Sequence, residues 1–392
     1  MSDMATGIRA LVGEIRAIYG DGPVPLHRPV FDGHERRYLI ECIDSNFVSS
    51  VGAKVTEFEA RVAAFTGARH AVATVNGTAA LHVALELAGV GPDDEVVTQA
   101  LTFIATCNAI RYAGAWPVFV DVDRDTLGLS PQALRAFLER HVEVRDGRPY
   151  NRASGRRLAA CVPMHTFGHP CRIAEIVAVC DEFGIPVVED AAESLGSTAG
   201  GRHTGTFGRL GTSSFNGNKI ITTGGGGMIL TDDEALARRA KHLTTTAKIP
   251  HPYEFVHDEV GYNYRLPNLN AALGCAQMER LPEMLEVKAG IAARYAAVLA
   301  EIGWDYIPAP AGTVSNHWLN AVRLASPAER EAFLRETNAQ GVMTRPIWRL
   351  MNRLPMYADC QHDGLANAIW LEERVVNLPS SVPDGALAPW AG

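Results

Sequence analysis

Apolar residues recur at helical spacing over residues 5–19, where the pattern stops at Gly20, and again over 54–65, predicting two amphipathic helices. Between and beyond them the pattern changes period. Short apolar runs at 71–75, 95–97, 116–121, 158–163 and 185–188, and one ending at Ser213, Ser214 and Phe215, read as buried strands. Helical stretches opening near Leu101 and covering 130–140, 173–183 and 231–243 are interleaved with them. This alternation predicts an α/β fold with a mostly parallel sheet, in which ligands gather at the carboxyl ends of the strands. Helical periodicity then dominates 268–302, followed by strands at 304–307 and 317–323 and a helix at 328–339. A domain boundary near Arg280 is expected, giving an N-terminal helical arm (1–45), a large domain (46–280) and a small C-terminal domain (281–392). Apolar periodicity lapses between His141 and Arg157, where Asp146-Gly147 signals a surface hairpin or extended loop.

Composition narrows the function classes. A chain of 392 residues with 47% hydrophobic content can bury a large core. Its formal charge of −8 argues against nucleic acid or a membrane surface as partner. No apolar run approaches the roughly 18 residues of a membrane span, and Met-Ser-Asp-Met-Ala lacks a secretory pattern, so a cytoplasmic location is expected. Seven scattered cysteines without a Cys-x-x-Cys pair fit buried thiols, and thirteen histidines show no ligand spacing, so no metal is assigned.

The chemistry concentrates between Pro186 and Met228. One apolar strand delivers Glu189 and Asp190 to its carboxyl end; a second leads through Ser213, Ser214 and Phe215 to a single lysine, Lys219, among small uncharged residues. Taken singly, Asp190 could cap a helix and Lys219 could be a solvated surface lysine. Together they suit a pyridoxal 5′-phosphate (PLP) enzyme: apolar surroundings favour the neutral lysine that a Schiff base needs, and a carboxylate keeps the pyridine nitrogen protonated. Upstream, a strand runs into Asn76-Gly77-Thr78-Ala79-Ala80. Gly77, Thr78 and Ala79 there form either an anion site at a helix start or a plain threonine cap. The run Gly224 to Gly227 lacks the lysine and hydroxyl of a nucleotide loop and reads as backbone freedom beside Lys219.

The stretch Phe215-Asn-Gly-Asn-Lys-Ile-Ile-Thr-Thr-Gly-Gly-Gly-Gly-Met228, with Glu189-Asp190-Ala191-Ala192-Glu193 before it, resembles the PLP-dependent sugar aminotransferases of the DegT/DnrJ/EryC1/StrS family. The resemblance runs from about Pro25 to Val382. It is similar to the branch that aminates C4 of UDP-linked 4-keto-6-deoxy-N-acetylhexosamines on routes to bacillosamine and legionaminic acid. The resemblance implies the aspartate aminotransferase-like fold (fold type I), with a mostly parallel seven-stranded sheet in the large domain and a smaller C-terminal α/β domain. It implies PLP as cofactor, with a PMP form in the cycle, L-glutamate and 2-oxoglutarate as amino donor pair, and a homodimer with shared active sites. By residue it implies Lys219 and Asp190 as catalytic, Gly77, Thr78, Ala79 and Ser214 at the cofactor phosphate, Phe103 stacked on the ring, and Glu193 at the phenolic oxygen. A glutamate can donate there only when protonated. Asn263 and Arg265 would reach the neighbouring subunit's cofactor phosphate, and Ser49 would border the nucleotide sugar. Asn218 would shape the turn or touch substrate. His165 either lines the cleft or is a satisfied histidine at a strand end, and Arg345 either binds the charged part of the substrate or makes a surface ion pair. A histidine in place of Lys219 would mark the family's sugar dehydratases, which this chain therefore does not match. Amination at C3, a GDP- or dTDP-linked sugar, and a non-catalytic nucleotide-sugar-binding protein stand as alternatives.

Overall fold

The computed structural model describes residues 4–387. Seven strands build its central sheet: β1 (His70–Thr74), β2 (Glu95–Gln99), β3 (Trp116–Val120), β4 (Leu158–Val162), β5 (Val188–Asp190), β6 (Leu210–Ser214) and β7 (Gly227–Thr231). Two ladders, β1-β7-β6-β5 and β3-β2-β4, are hydrogen-bonded within themselves. Parallel bridges Cys161–Val187 and Met164–Asp190 join them into one sheet of order β1-β7-β6-β5-β4-β2-β3. Only β7 runs against the rest. The α/β fold expected from the alternation, with the mostly parallel seven-stranded sheet that the resemblance implies, is therefore present, and it explains why these strands are near-continuous apolar runs: helices cover both faces.

β7 differs from the pattern-based expectation, which placed only glycine freedom and then a helix there. Its Gly-Met-Ile-Leu-Thr core is fully buried between β1 and β6, and the helix starts later, at Glu234, capped by Asp233. The segment expected to hold the domain boundary is one uninterrupted helix, Asn268–Ile302, with Pro282 inside it. Its first half packs in the core beneath the large sheet through Ala271, Cys275 and Leu281. Its second half joins the C-terminal core through Ile291, Tyr295 and Leu299. That second core also takes Ile8, Leu11, Val12 and Ile15 of the helix Met4–Tyr19. The N-terminal helix is thus seated on the C-terminal part of the chain.

The C-terminal sheet is antiparallel, in the order β8 (Asp305–Tyr306), β9 (Asn320–Arg323), β11 (Val375–Leu378), β10 (Arg345–Pro346). The helices Pro327–Ala339 and Ala366–Glu372 accompany it. The lapse near Asp146 is a hairpin, Val142–Arg145 against Arg148–Asn151. All seven cysteines are free and buried. Among the described residues, no helix is long and apolar enough to cross a membrane.

Candidate active site

Three strand ends converge on one cavity of about 250 Å³. At the end of β1 the chain turns through Asn76, whose extended backbone (φ −165°, ψ 168°) and side-chain oxygen cap the helix Gly77–Leu87 by accepting from the Ala79 N–H at 2.8 Å. The amides of Gly77 and Thr78, the first two of the helix, have no carbonyl within it to meet, and both residues line the cavity. Ala79 lies behind them with its amide already committed to Asn76, so the phosphate role expected for it does not match the geometry.

Ser214 ends β6 and faces Gly77 so closely that a Cβ built on Gly77 would sit 2.8 Å from the Ser214 Cβ and 3.1 Å from its Oγ. Only glycine lets the helix start and the serine hydroxyl close around a common point. Beyond Ser214 the chain crosses to β7 through a loop anchored by Phe215, whose N–H donates to Gly226 O (2.8 Å) and whose ring meets Phe58 edge-on at 4.9 Å. Lys219 projects from that loop. Its Nζ lies 3.3 Å from Glu193 Oε1 and 4.1 Å from the ring centroid of Trp318.

Asp190 ends β5, and its carboxylate takes the Thr106 hydroxyl on Oδ2 (2.7 Å) and the Ala192 N–H on Oδ1 (3.2 Å). Side chains alternate along a strand, so Asp190 faces the cavity while Glu189 faces the other way. Glu189 collects the N–H groups of Gly205 and Gly208 and the Nε2 of His165 at 3.0 Å. This corrects the placement of His165 in the cleft. It is fully buried, its Nδ1 accepts the Cys171 N–H, and it is spent holding the far side of the sheet.

Burial pushes the Glu193 carboxyl up to about 7, against the pull of Lys219 and the Phe167 N–H. A carboxyl at about 7 when folded and at its ordinary 4.5 when unfolded stabilises below the lower value and loses that contribution as pH rises through the upper one. Glu193→Gln, which stays neutral, is therefore expected to gain in melting temperature on the wild type as pH rises from about 5 to about 8. Calorimetry of the cofactor-free proteins checks this, and parallel pH curves would contradict it.

Phe103, Asn216 and Asn218 complete the same wall set. Four other expected residues, Asn263, Arg265, Ser49 and Arg345, lie elsewhere. Arg265 bonds Asn263 Oδ1 through Nε and Nη2 (3.1 and 3.0 Å) and lines a separate open concavity with Ser50, Val51 and Lys248. Ser49 is exposed beside it, its carbonyl accepting from the Asn268 N–H at 2.8 Å. Arg345 does not reach the cavity: its guanidinium folds back on Asn338 Oδ1 (2.9 Å) and the Thr344 carbonyl (2.8 Å), near the C-terminal end of the helix Pro327–Ala339, where a cation is favoured.

Two lining aromatic residues were missed by sequence reasoning, Trp318 and Trp348. Trp318 donates its indole N–H to Asn218 O (2.6 Å), and Trp348 stands 6.4 Å from Phe103 and 5.0 Å from Phe167, ring to ring. The available signal was that a tryptophan near a strand or turn needs a partner for its N–H. A surface group, His242, Asp258 and Glu259, could hold a cation by spacing. It lies outside this cavity, with His242 already on Asp258 at 2.7 Å and Glu259 paired to Arg239.

The cavity fits PLP by the chemistry of its donors. Helix-start amides beside a hydroxyl (Gly77, Thr78, Ser214), of the kind that would suit a phosphate, a carboxylate (Asp190), an amine (Lys219) and an aromatic ring (Phe103) line one cavity.

Comparison with known proteins places the chain among relatives. The model of the DegT/DnrJ/EryC1/StrS aminotransferase family matches residues 29–383. EpsN of Bacillus subtilis (strain 168) is 38% identical over 333 residues, 85% of this chain and 83% of that protein. A GDP-perosamine synthase of Caulobacter vibrioides is 37% identical over 90% of this chain and 91% of its own. Among solved structures, the aminotransferase TlmJ from Streptoalloteichus hindustanus superposes with a TM-score of 0.83 at 30% identity, covering 94% of this chain and 95% of that one.

Proposed function

The chain belongs to the DegT/DnrJ/EryC1/StrS aminotransferase family, and from that premise we propose that it moves an amino group from L-glutamate to the C4 ketone of a UDP-linked 2-acetamido-2,6-dideoxy-4-ketohexose. It is an enzyme, and its cofactor is PLP. The observation that carries the reading is the meeting of Lys219, Asp190, Ser214 and Gly77 in one cavity.

PLP supplies an electron sink and an amino-group carrier, passing through its PMP form. The chain's own residues do the rest. Gly77, Thr78 and Ser214 would hold the phosphate, Asp190 would pair with the ring nitrogen, and Phe103 would flank the ring. Lys219 removes a proton from the α-carbon of glutamate, and in the second half returns one at the sugar carbon that receives the amine. Glu193 Oε1, 3.3 Å from the Lys219 Nζ, accepts from it and would stand at the cofactor's phenolic oxygen. Asn218 contacts the sugar. The resemblance of 215–228 to the UDP-sugar C4 branch supports the substrate, with bacillosamine or legionaminic acid routes of surface-glycan synthesis as the setting and the cytoplasm as the location.

Asn263 and Arg265 belong, in this reading, to the neighbouring subunit's site, with Ser49 at the nucleotide-sugar edge. The hairpin Lys248–Ile249 against Val256–His257 supports it: Tyr253 and Phe255 beside it are each 81% exposed, an apolar surface that a partner would cover. Mixing Arg265→Ala with Lys219→Ala protein is expected to restore activity, because one site of each mixed dimer regains both native residues. Activity no higher than the sum of the separate variants would contradict it, as would a fully active monomer by mass.

A second reading is a GDP-linked keto sugar, favoured by the 37% identical relative named GDP-perosamine synthase. Steady-state kcat/KM for UDP- and GDP-linked 4-keto-6-deoxy sugars under excess glutamate separates the two. Preference for the UDP-linked N-acetylated sugar supports the first reading, and preference for the GDP sugar replaces it.

A further inference from the structure

Behind Asp190 lies a line of hydroxyls that the family resemblance did not single out. Thr106, in the first turn of the helix Ile104–Tyr112, places Oγ1 2.7 Å from Asp190 Oδ2. Thr102 Oγ1 lies 2.9 Å from Thr106 Oγ1, and 2.9 Å from the sulfur of Met164. Both threonines are fully buried and neither lines the cavity, so neither can touch a ligand there.

The direction of these bonds follows from what each group can do. A carboxylate offers only lone pairs, and a hydroxyl has one hydrogen to give. Thr106 must therefore spend its hydrogen on Asp190, and its own oxygen is free to accept from Thr102. The Ala192 N–H fixes the other carboxylate oxygen at 3.2 Å. With each oxygen held by one donor from the protein, the carboxylate plane is set and its remaining lone pairs face the cavity. Chained hydroxyls polarise one another, which strengthens the last bond in the line.

We propose that Thr106 is a positioning residue for the aminotransferase reaction: its hydroxyl, backed by Thr102, fixes the Asp190 carboxylate in the orientation that receives the pyridine N–H of PLP. This inference rests on the proposed function, since it assigns Asp190 to the ring nitrogen. Thr106 lies three residues after Phe103, the N-cap of that helix, so one helix start carries both the cavity-lining aromatic and the carboxylate's donor.

The test contrasts two substitutions that divide the threonine side chain. Thr106→Val keeps the shape and removes the hydroxyl; Thr106→Ser keeps the hydroxyl and removes the methyl. Cofactor-free protein is titrated with PLP, and the pH titration of the bound cofactor's visible absorbance is recorded for each. Thr106→Val is expected to bind PLP about tenfold more weakly or worse, with a displaced absorbance titration, while Thr106→Ser stays within about twofold of wild type in affinity. The opposite ranking, with Val near wild type and Ser impaired, would make Thr106 a packing residue and overturn the proposal, as would two variants indistinguishable from wild type. If Val fails to fold, Ser alone decides: near-native affinity and titration support the hydroxyl, and a loss as large as tenfold contradicts it. Failure of the wild type to bind PLP would instead overturn the functional reading itself.

Discussion

Lys219→Ala is expected to lose covalent retention of PLP and to cut turnover by roughly 10³-fold or more. The size of the effect follows from the absence of a substitute. Lys219 is the one amine among the cavity's lining residues, with its side chain 11% exposed between Glu193 and Trp318. Lys288, the one fully buried lysine among the described residues, cannot replace it. Its Nζ is taken up by His27 Nε2 and by the carbonyls of Trp318 and Ser380, to which it donates, even though burial lowers its pKa to about 7. Borohydride reduction followed by peptide mass analysis should find PLP on Lys219 in the wild type and nowhere in the variant. A variant retaining both the adduct and full turnover would contradict the assignment.

Asp190→Asn should keep PLP on Lys219 yet lower kcat by roughly 10²- to 10⁴-fold. The two substitutions thus part company in the adduct assay. Asparagine is nearly isosteric, so the fold and the cavity outline should persist. Its amide replaces one acceptor oxygen by a donor, however, in a place where Thr106 and the Ala192 N–H already supply two donors. Either the amide nitrogen meets one of those donors, or it faces the cavity, where it can no longer pair with a protonated pyridine nitrogen. Single-turnover bleaching of the bound cofactor by glutamate measures the loss directly. A kcat within a few-fold of wild type would show that Asp190 does not support the ring.

Residues that act together here were legible when they lay in one short stretch or at a strand end with a recognisable turn. Asp190, Ser214 and Lys219 fall within thirty residues, and the topology of β5 and β6 brings them together because parallel neighbours end on the same edge. Gly77 and Thr78 were readable because strand, glycine and hydroxyl are a local grammar. The orientation of a single side chain at a strand end was less readable. Glu189 and Asp190 are adjacent, and only the sheet's burial on both faces decides that one meets His165 and the other the cavity. Trp318 and Trp348 come from the C-terminal part of the chain and reach the site through tertiary packing that no local period encodes. Arg345 was singled out for its charge, but it answers to a helix end seven residues before it. β7 escaped notice because its five residues follow a glycine run and precede a helix cap, leaving almost no window for a period to appear.

The most direct test of the central claim follows the nitrogen. Wild-type protein, PLP and ¹⁵N-glutamate are incubated with UDP-4-keto-6-deoxy-N-acetylglucosamine, and the nucleotide sugar is weighed by mass spectrometry. The expected product carries an amine in place of the ketone, with the heavy nitrogen in it and 2-oxoglutarate released alongside. An unchanged ketone, while glutamate still bleaches the cofactor, would leave an aminotransferase with a different acceptor. An unchanged ketone with no glutamate reaction at all would contradict the account from the active site upward.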